Sequence, residues 1–91
     1  MEILEVIKND MIRELISKFN VTHELSVSIP LVIDWGKFIN FSIPKDVKNV
    51  IIIVPEDFDF NIRNQIKSVR RDLSVIVMKL PEIKGKLYVL Y

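Results

Sequence analysis

The stretch Val50-Ile51-Ile52-Ile53-Val54, closed by Pro55, decides how this chain folds. Five β-branched residues in a row offer water no polar side chain on either face. That is the composition of a strand buried on both sides, at the centre of a helix-covered sheet. The restricted χ1 at every position also works against a helix. Residues 50–54 are therefore read as the central strand, and the remaining segments by how they surround it.

Downstream, Glu56-Asp57-Phe58-Asp59-Phe60 leads into a predicted helix that reaches about Arg71. Asp57 or Asp59 is the expected N-cap, and Phe58, Ile62, Ile66 and Val69 form the expected buried stripe. Residues 73–80 are apolar apart from Ser74 and Lys79 and predict another strand. Strand, helix and strand in succession make a βαβ unit, so 50–54 and 73–80 should be parallel neighbours. Pro81-Glu82-Ile83-Lys84-Gly85 then turns the chain into a last strand, 86–91.

Upstream, residues 2–19 place Ile3, Leu4, Ile7, Met11, Ile12, Leu15, Ile16 and Phe19 at helical spacing, with Asn20 suited to a left-handed end. Residues 23–33 switch to period two through Leu25, Val27, Ile29, Leu31 and Ile33, and Pro30 asks for an edge or a bulge. Asp34-Trp35-Gly36-Lys37 reads as a turn, and 38–43, alternating through Ile39, Phe41 and Ile43, as the second arm of an antiparallel hairpin. The predicted order is α-β-β-β-α-β-β. It describes one domain of the α/β or α+β class, with a mixed five-stranded sheet covered by two helices.

Composition narrows the function classes. A chain of 91 residues makes a single core, and 49% hydrophobic content is much for it to bury. No apolar run approaches the roughly 18 residues of a membrane span, and the start Met-Glu-Ile-Leu-Glu lacks the basic region of a signal peptide. A cytoplasmic protein without a membrane partner is expected. The absence of cysteine excludes disulfides, a thiolate nucleophile and cysteine-based zinc sites. There is no alanine and only one glutamine, while Ile, Lys and Asn are abundant. That bias fits an AT-rich genome, and we expect an archaeal, thermophilic or viral source.

Catalytic constellations are scarce. His23 is the single histidine, so neither a histidine-pair metal site nor a histidine relay can be assembled. No glycine-rich phosphate loop or nucleophile elbow occurs. Glu56, Asp57 and Asp59 follow the central strand, where ligands of parallel sheets tend to bind, and could hold a divalent cation. Helix capping and a solvated loop account for the same acids, so no metal and no cofactor are assigned.

The order α-β-β-β-α-β resembles the core topology of the PD-(D/E)xK nucleases over most of the chain. That resemblance implies an acid near the hairpin, for which Asp34 is the candidate. It also implies an acid, a spacer and a lysine on the next strand, where Ile51, Ile52 and Ile53 stand. Glu82 and Lys84 have the spacing but fall in a late turn. The resemblance thus implies the topology without its metal site.

Two surfaces remain. Arg63, Lys67, Arg70 and Arg71 fall at i, i+4, i+7 and i+8 on the second helix, opposite Ile62, Ile66 and Val69. Such a stripe, extended by Lys79, Lys84 and Lys86, could track phosphates. It would also serve as an ordinary solvated face, with Arg70 and Arg71 complementing the helix C-terminus. The last strand, Lys86-Leu87-Tyr88-Val89-Leu90-Tyr91, reads as an exposed edge open to another chain, and Trp35 as an anchor for a partner. Each has a plainer role, the strand completing the sheet and Trp35 closing the core. The sequence therefore predicts a non-catalytic interaction module. Its role would be that of an accessory subunit docking on a larger protein or on itself, in nucleic-acid machinery. Direct DNA or RNA binding through Arg63, Lys67, Arg70, Arg71 and Lys79 is the alternative, and an incomplete metal-dependent nuclease is the third reading.

Overall fold

The computed structural model describes residues 10–32, 34–58, 61–81 and 83–91. They form one α+β domain with a mixed four-stranded sheet and three helices. The elements are α1 (Asp10–Lys18), β1 (Glu24–Ser28), α2 (Trp35–Ser42), β2 (Asn49–Pro55), α3 (Ile62–Val69), β3 (Ser74–Leu80) and β4 (Lys86–Leu90). The fold class expected from sequence holds, with four strands among the described residues in place of five. No helix among them is long and apolar enough to cross a membrane.

The sheet order is β1-β4-β2-β3. β2 and β3 are parallel, with Val50 opposite Val75 and Val54 opposite Lys79. β4 runs antiparallel to both β1 and β2, pairing Val27 with Leu87 and Ile52 with Val89. As predicted, β2 is interior, and residues 50–54 are buried throughout. Alternation along the strand divides the core. Val50, Ile52 and Val54 join Val75, Leu87 and Val89 beneath α2 and α3. Ile51 and Ile53 join Tyr88 and Leu90 on the opposite face, where Ile16, Phe19 and Val21 pack. Burying each isoleucine contributes about 1.5–3 kcal/mol, so the five residues make the strand the main source of cohesion.

Four sequence expectations are corrected. Residues 38–43 are not a strand but lie largely within α2, and no hairpin with β1 exists. The Asp34 carboxylate caps this helix by accepting from the Lys37 backbone N–H at 3.0 Å. Trp35, Ile39 and Ile43 recur every four residues and are all buried, whereas Phe41, which alternation would place inside, is 93% exposed. With the hairpin goes the resemblance to the nuclease topology, since the second strand of that order is a helix here.

The C-terminal strand is not an edge. β4 lies between β1 and β2, with its residues 87–90 buried. Its unbroken Leu-Tyr-Val-Leu run has the two-sided signature seen in residues 50–54, and two sheet faces require it. Of the two outcomes Pro30 asks for, the edge is the one found: β1 lies at an edge of the described sheet, and no bulge is needed because β1 stops at Ser28 and Ile29–Leu31 form a 3₁₀ turn. Val69 is 43% exposed, because it ends α3 on the side that faces Gly36 of α2 rather than the sheet.

Several expectations at helix ends are met or moved. Asn20 adopts φ 52° after α1, the left-handed conformation anticipated for it. The N-cap of α3 is Asn61, whose side chain accepts from Asn64 N–H, rather than Asp57. Residues 2–9 of the predicted first helix, with Ile33, Asp59, Phe60 and Glu82, lie outside the described residues.

Candidate binding surfaces

The basic stripe separates into an exposed row and a buried residue. Arg63 and Lys67 are exposed on α3, and Arg71 is exposed in the turn after it. Arg70 is 4% exposed and cannot meet a phosphate. Its Nη1 donates to the Ile43 carbonyl at 2.7 Å, and its Nη2 donates to the Pro44 and Val47 carbonyls at 3.3 and 3.1 Å. Asp72 lies 3.6 Å from that guanidinium and 3.3 Å from Lys48 Nζ. The hydrogen bond from Lys48 is the main reason the Asp72 carboxyl sits below its ordinary pKa, with Arg70 adding to it. Arg70 thus fastens the segment after α2 to the end of α3. Its position at the end of α3 turns it inward, which the i+7 spacing of an ideal stripe conceals.

The row has a definite direction. The Gln65 side-chain oxygen accepts from Trp35 N–H at 3.3 Å, and Gly36 abuts the Gln65 carbonyl and the Val69 methyl. Positions 65 and 69 therefore face α2, and 62 and 66 face the sheet. At 100° per residue, Arg63 and Lys67 lie on the flank away from α2, above β3. Lys79 alternates with Val75 and Val77 on the same face of β3 and is exposed. Arg63, Lys67, Arg71 and Lys79 consequently share the β3 side of the molecule, with no ion-pair partner among the described residues. Lys86 does not extend the row. It belongs to the opposite face of β4, where its Nζ lies 5.7 Å from the Tyr88 ring, and Lys84 sits in the turn before it.

The aromatic candidates also change roles. Trp35 and Tyr88 are 2% and 3% exposed and belong to the core, so neither is available as an anchor for a partner. Trp35 meets Phe38 and Phe58 edge-to-face at 5.9 and 6.2 Å. Tyr91 is half-buried and stacks on His23 at 5.1 Å, while its carbonyl accepts from Thr22 and His23 N–H. Among the described residues the exposed aromatic is Phe41, which a hairpin would turn inward. Helical spacing from Trp35 and Ile39 could have found it.

Of the acids considered for a metal, Asp34 is the cap of α2, while Glu56 and Asp57 are exposed in the turn after β2. No cluster of three potential ligands occurs among the described residues. An open cleft of ≈ 370 Å³ lies at the end of the sheet where β2 begins, between Asn20, His23, Val47, Lys48 and Tyr91.

Residues 9–87 match the family described as Domain of unknown function (DUF4898), and the chain belongs to that family. It is also 29% identical over 66 residues to Uncharacterized protein 27 of Sulfolobus islandicus filamentous virus (isolate Iceland/Hveragerdi). That alignment covers 70% of this chain and 75% of the viral protein. No solved structure matches the chain.

Proposed function

We propose that this member of the DUF4898 family is a non-catalytic interaction module, an accessory subunit that docks on a larger protein assembly in the cytoplasm. The observation that carries the reading is Phe41, 93% exposed on the outward side of a helix whose other side closes the core. Covering a phenylalanine held in water on a rigid element would contribute about 1.5–3 kcal/mol to docking. No metal or cofactor enters this reading. The relative from a Sulfolobus virus supports the archaeal or viral source expected from composition.

The test is a photo-crosslinking residue at position 41 in cells making the protein, with position 64 on α3 as control. A discrete protein adduct from position 41 alone is the expected result. Absence of any adduct removes the reading. A second reading rests on the row Arg63, Lys67, Arg71 and Lys79, which would contact phosphates in a DNA- or RNA-bound assembly. It predicts a rise in mass by light scattering when a short DNA duplex is added, lost steeply with salt. A mass indifferent to DNA at low salt excludes it.

A further inference from the structure

We propose that β3 is a docking edge for an extended acidic peptide segment, which adds to the sheet as a fifth strand. The proposal rests on the docking role above and names the chemistry of the partner. Among the described residues no strand pairs with the outer side of β3, although it is seven residues long and free of proline. Its inner side is fully laddered to β2 from Asn49↔Ser74 to Pro55↔Leu80, so the backbone is held straight and ready for pairing. Ile76, Val77 and Met78 at its middle are only partly buried, although they pack against the core. Such an edge offers unpaired N–H and C=O groups with apolar side chains on either face.

The opposite edge differs. β1 is five residues long, alternates with exposed Glu24, Ser26 and Ser28, and runs into the turn containing Pro30. That edge is blunted in the usual ways. β3 carries one lysine.

Charge selects the occupant. By helical phase Arg63 and Lys67 lie on the flank of α3 away from α2, Lys79 lies on the helix-covered face of β3, and Arg71 stands in the turn into it, all four exposed. The nearest acid in that turn, Asp72, is held by Lys48 and Arg70. A second copy paired antiparallel about Val77 would bring the two α3 rows together, cation against cation, which costs free energy. Nucleic acid would satisfy the cations but leave the strand backbone and its apolar side chains unmatched. An extended chain with acids on one face and apolar residues on the other satisfies all three features.

The experiment uses the full chain with a short end-capped peptide alternating valine and glutamate, the same peptide N-methylated at alternate residues, and oligothymidylate. Fluorescence anisotropy measures binding, and amide hydrogen exchange follows residues 75–79. The plain peptide is expected to bind and to slow exchange in β3. The N-methylated peptide should fail, and R63E/K67E, both exposed sites, should weaken binding about tenfold. Equal binding of the N-methylated peptide, preference for oligothymidylate, or a dimer with β3 already protected would each overturn the proposal. Failure here with the position-41 adduct intact removes only this inference, whereas loss of that adduct removes the docking role itself.

Discussion

Arg70 shows how one side chain changes meaning between sequence and structure. Buried and donating to three carbonyls, it is a fastener for the α2–β2 connection and the start of β3. Arg70→Met should remove the side-chain donor of the buried Ile43 carbonyl and of the part-buried Val47 carbonyl, and cost roughly 3 kcal/mol. In a domain of this size that lowers Tm by more than about 10 °C, readable in a thermal melt. Asp72, beside it, makes a pH-dependent contribution. Its folded pKa is lowered from the ordinary 3.8, chiefly by the hydrogen bond from Lys48, with a backbone hydrogen bond and Arg70 adding to it. The stabilisation is therefore fully present above that value and disappears as pH falls through the lowered folded value. Wild type should exceed Asp72→Asn in urea midpoint at about pH 6, and the difference should close at about pH 2. A gap that widens in acid would contradict the assignment.

At the scale of elements, the contact of α2 with α3 turns on Gly36. A methyl group at that position would drive into the Gln65 carbonyl and press on Val69. In an exposed helix, glycine to alanine stabilises by up to about 1 kcal/mol. Here the sign should reverse, and Gly36→Ala is expected to destabilise by about 1–3 kcal/mol in chemical denaturation because the helices must separate. The same contact explains why Trp35-Gly36-Lys37 looks like a turn in sequence. Glycine is there for close approach between helices, not for a left-handed backbone. The aromatic and β-branched residues of 38–43 weaken local helix preference, and packing on the sheet and on α3 decides the matter.

For the molecule as a whole, the position of β4 matters most. β4 is an interior strand, joined to β1 on one side and β2 on the other, and Tyr91 closes the sheet end against His23. A chain ending at Gly85 should consequently lose the whole cooperative unfolding transition by circular dichroism. Loss of an edge strand would only lower its midpoint. Among the described residues β1 has β4 alone as strand partner, so the two are expected to lose amide protection together.

Local chemistry in the chain determines a good deal without tertiary information. The β-branched run 50–54 specifies a two-sided buried strand, the βαβ spacing specifies its parallel neighbour, and Asn20 ends α1 as its side chain permits. The exposure of Arg63, Lys67, Arg71 and Lys79 also follows from their polar positions in otherwise apolar patterns. Tertiary structure alone decides what is made of the ambiguous segments. Residues 38–43 satisfy both a strand and a helix period, and only their neighbours select the helix that leaves Phe41 in water. The order of strands, which turns β4 inward and leaves β3 outside, depends on pairings between residues far apart in the chain. No local pattern encodes a partner at that distance, because either face of an apolar strand can be buried by whichever surface the rest of the fold brings to it.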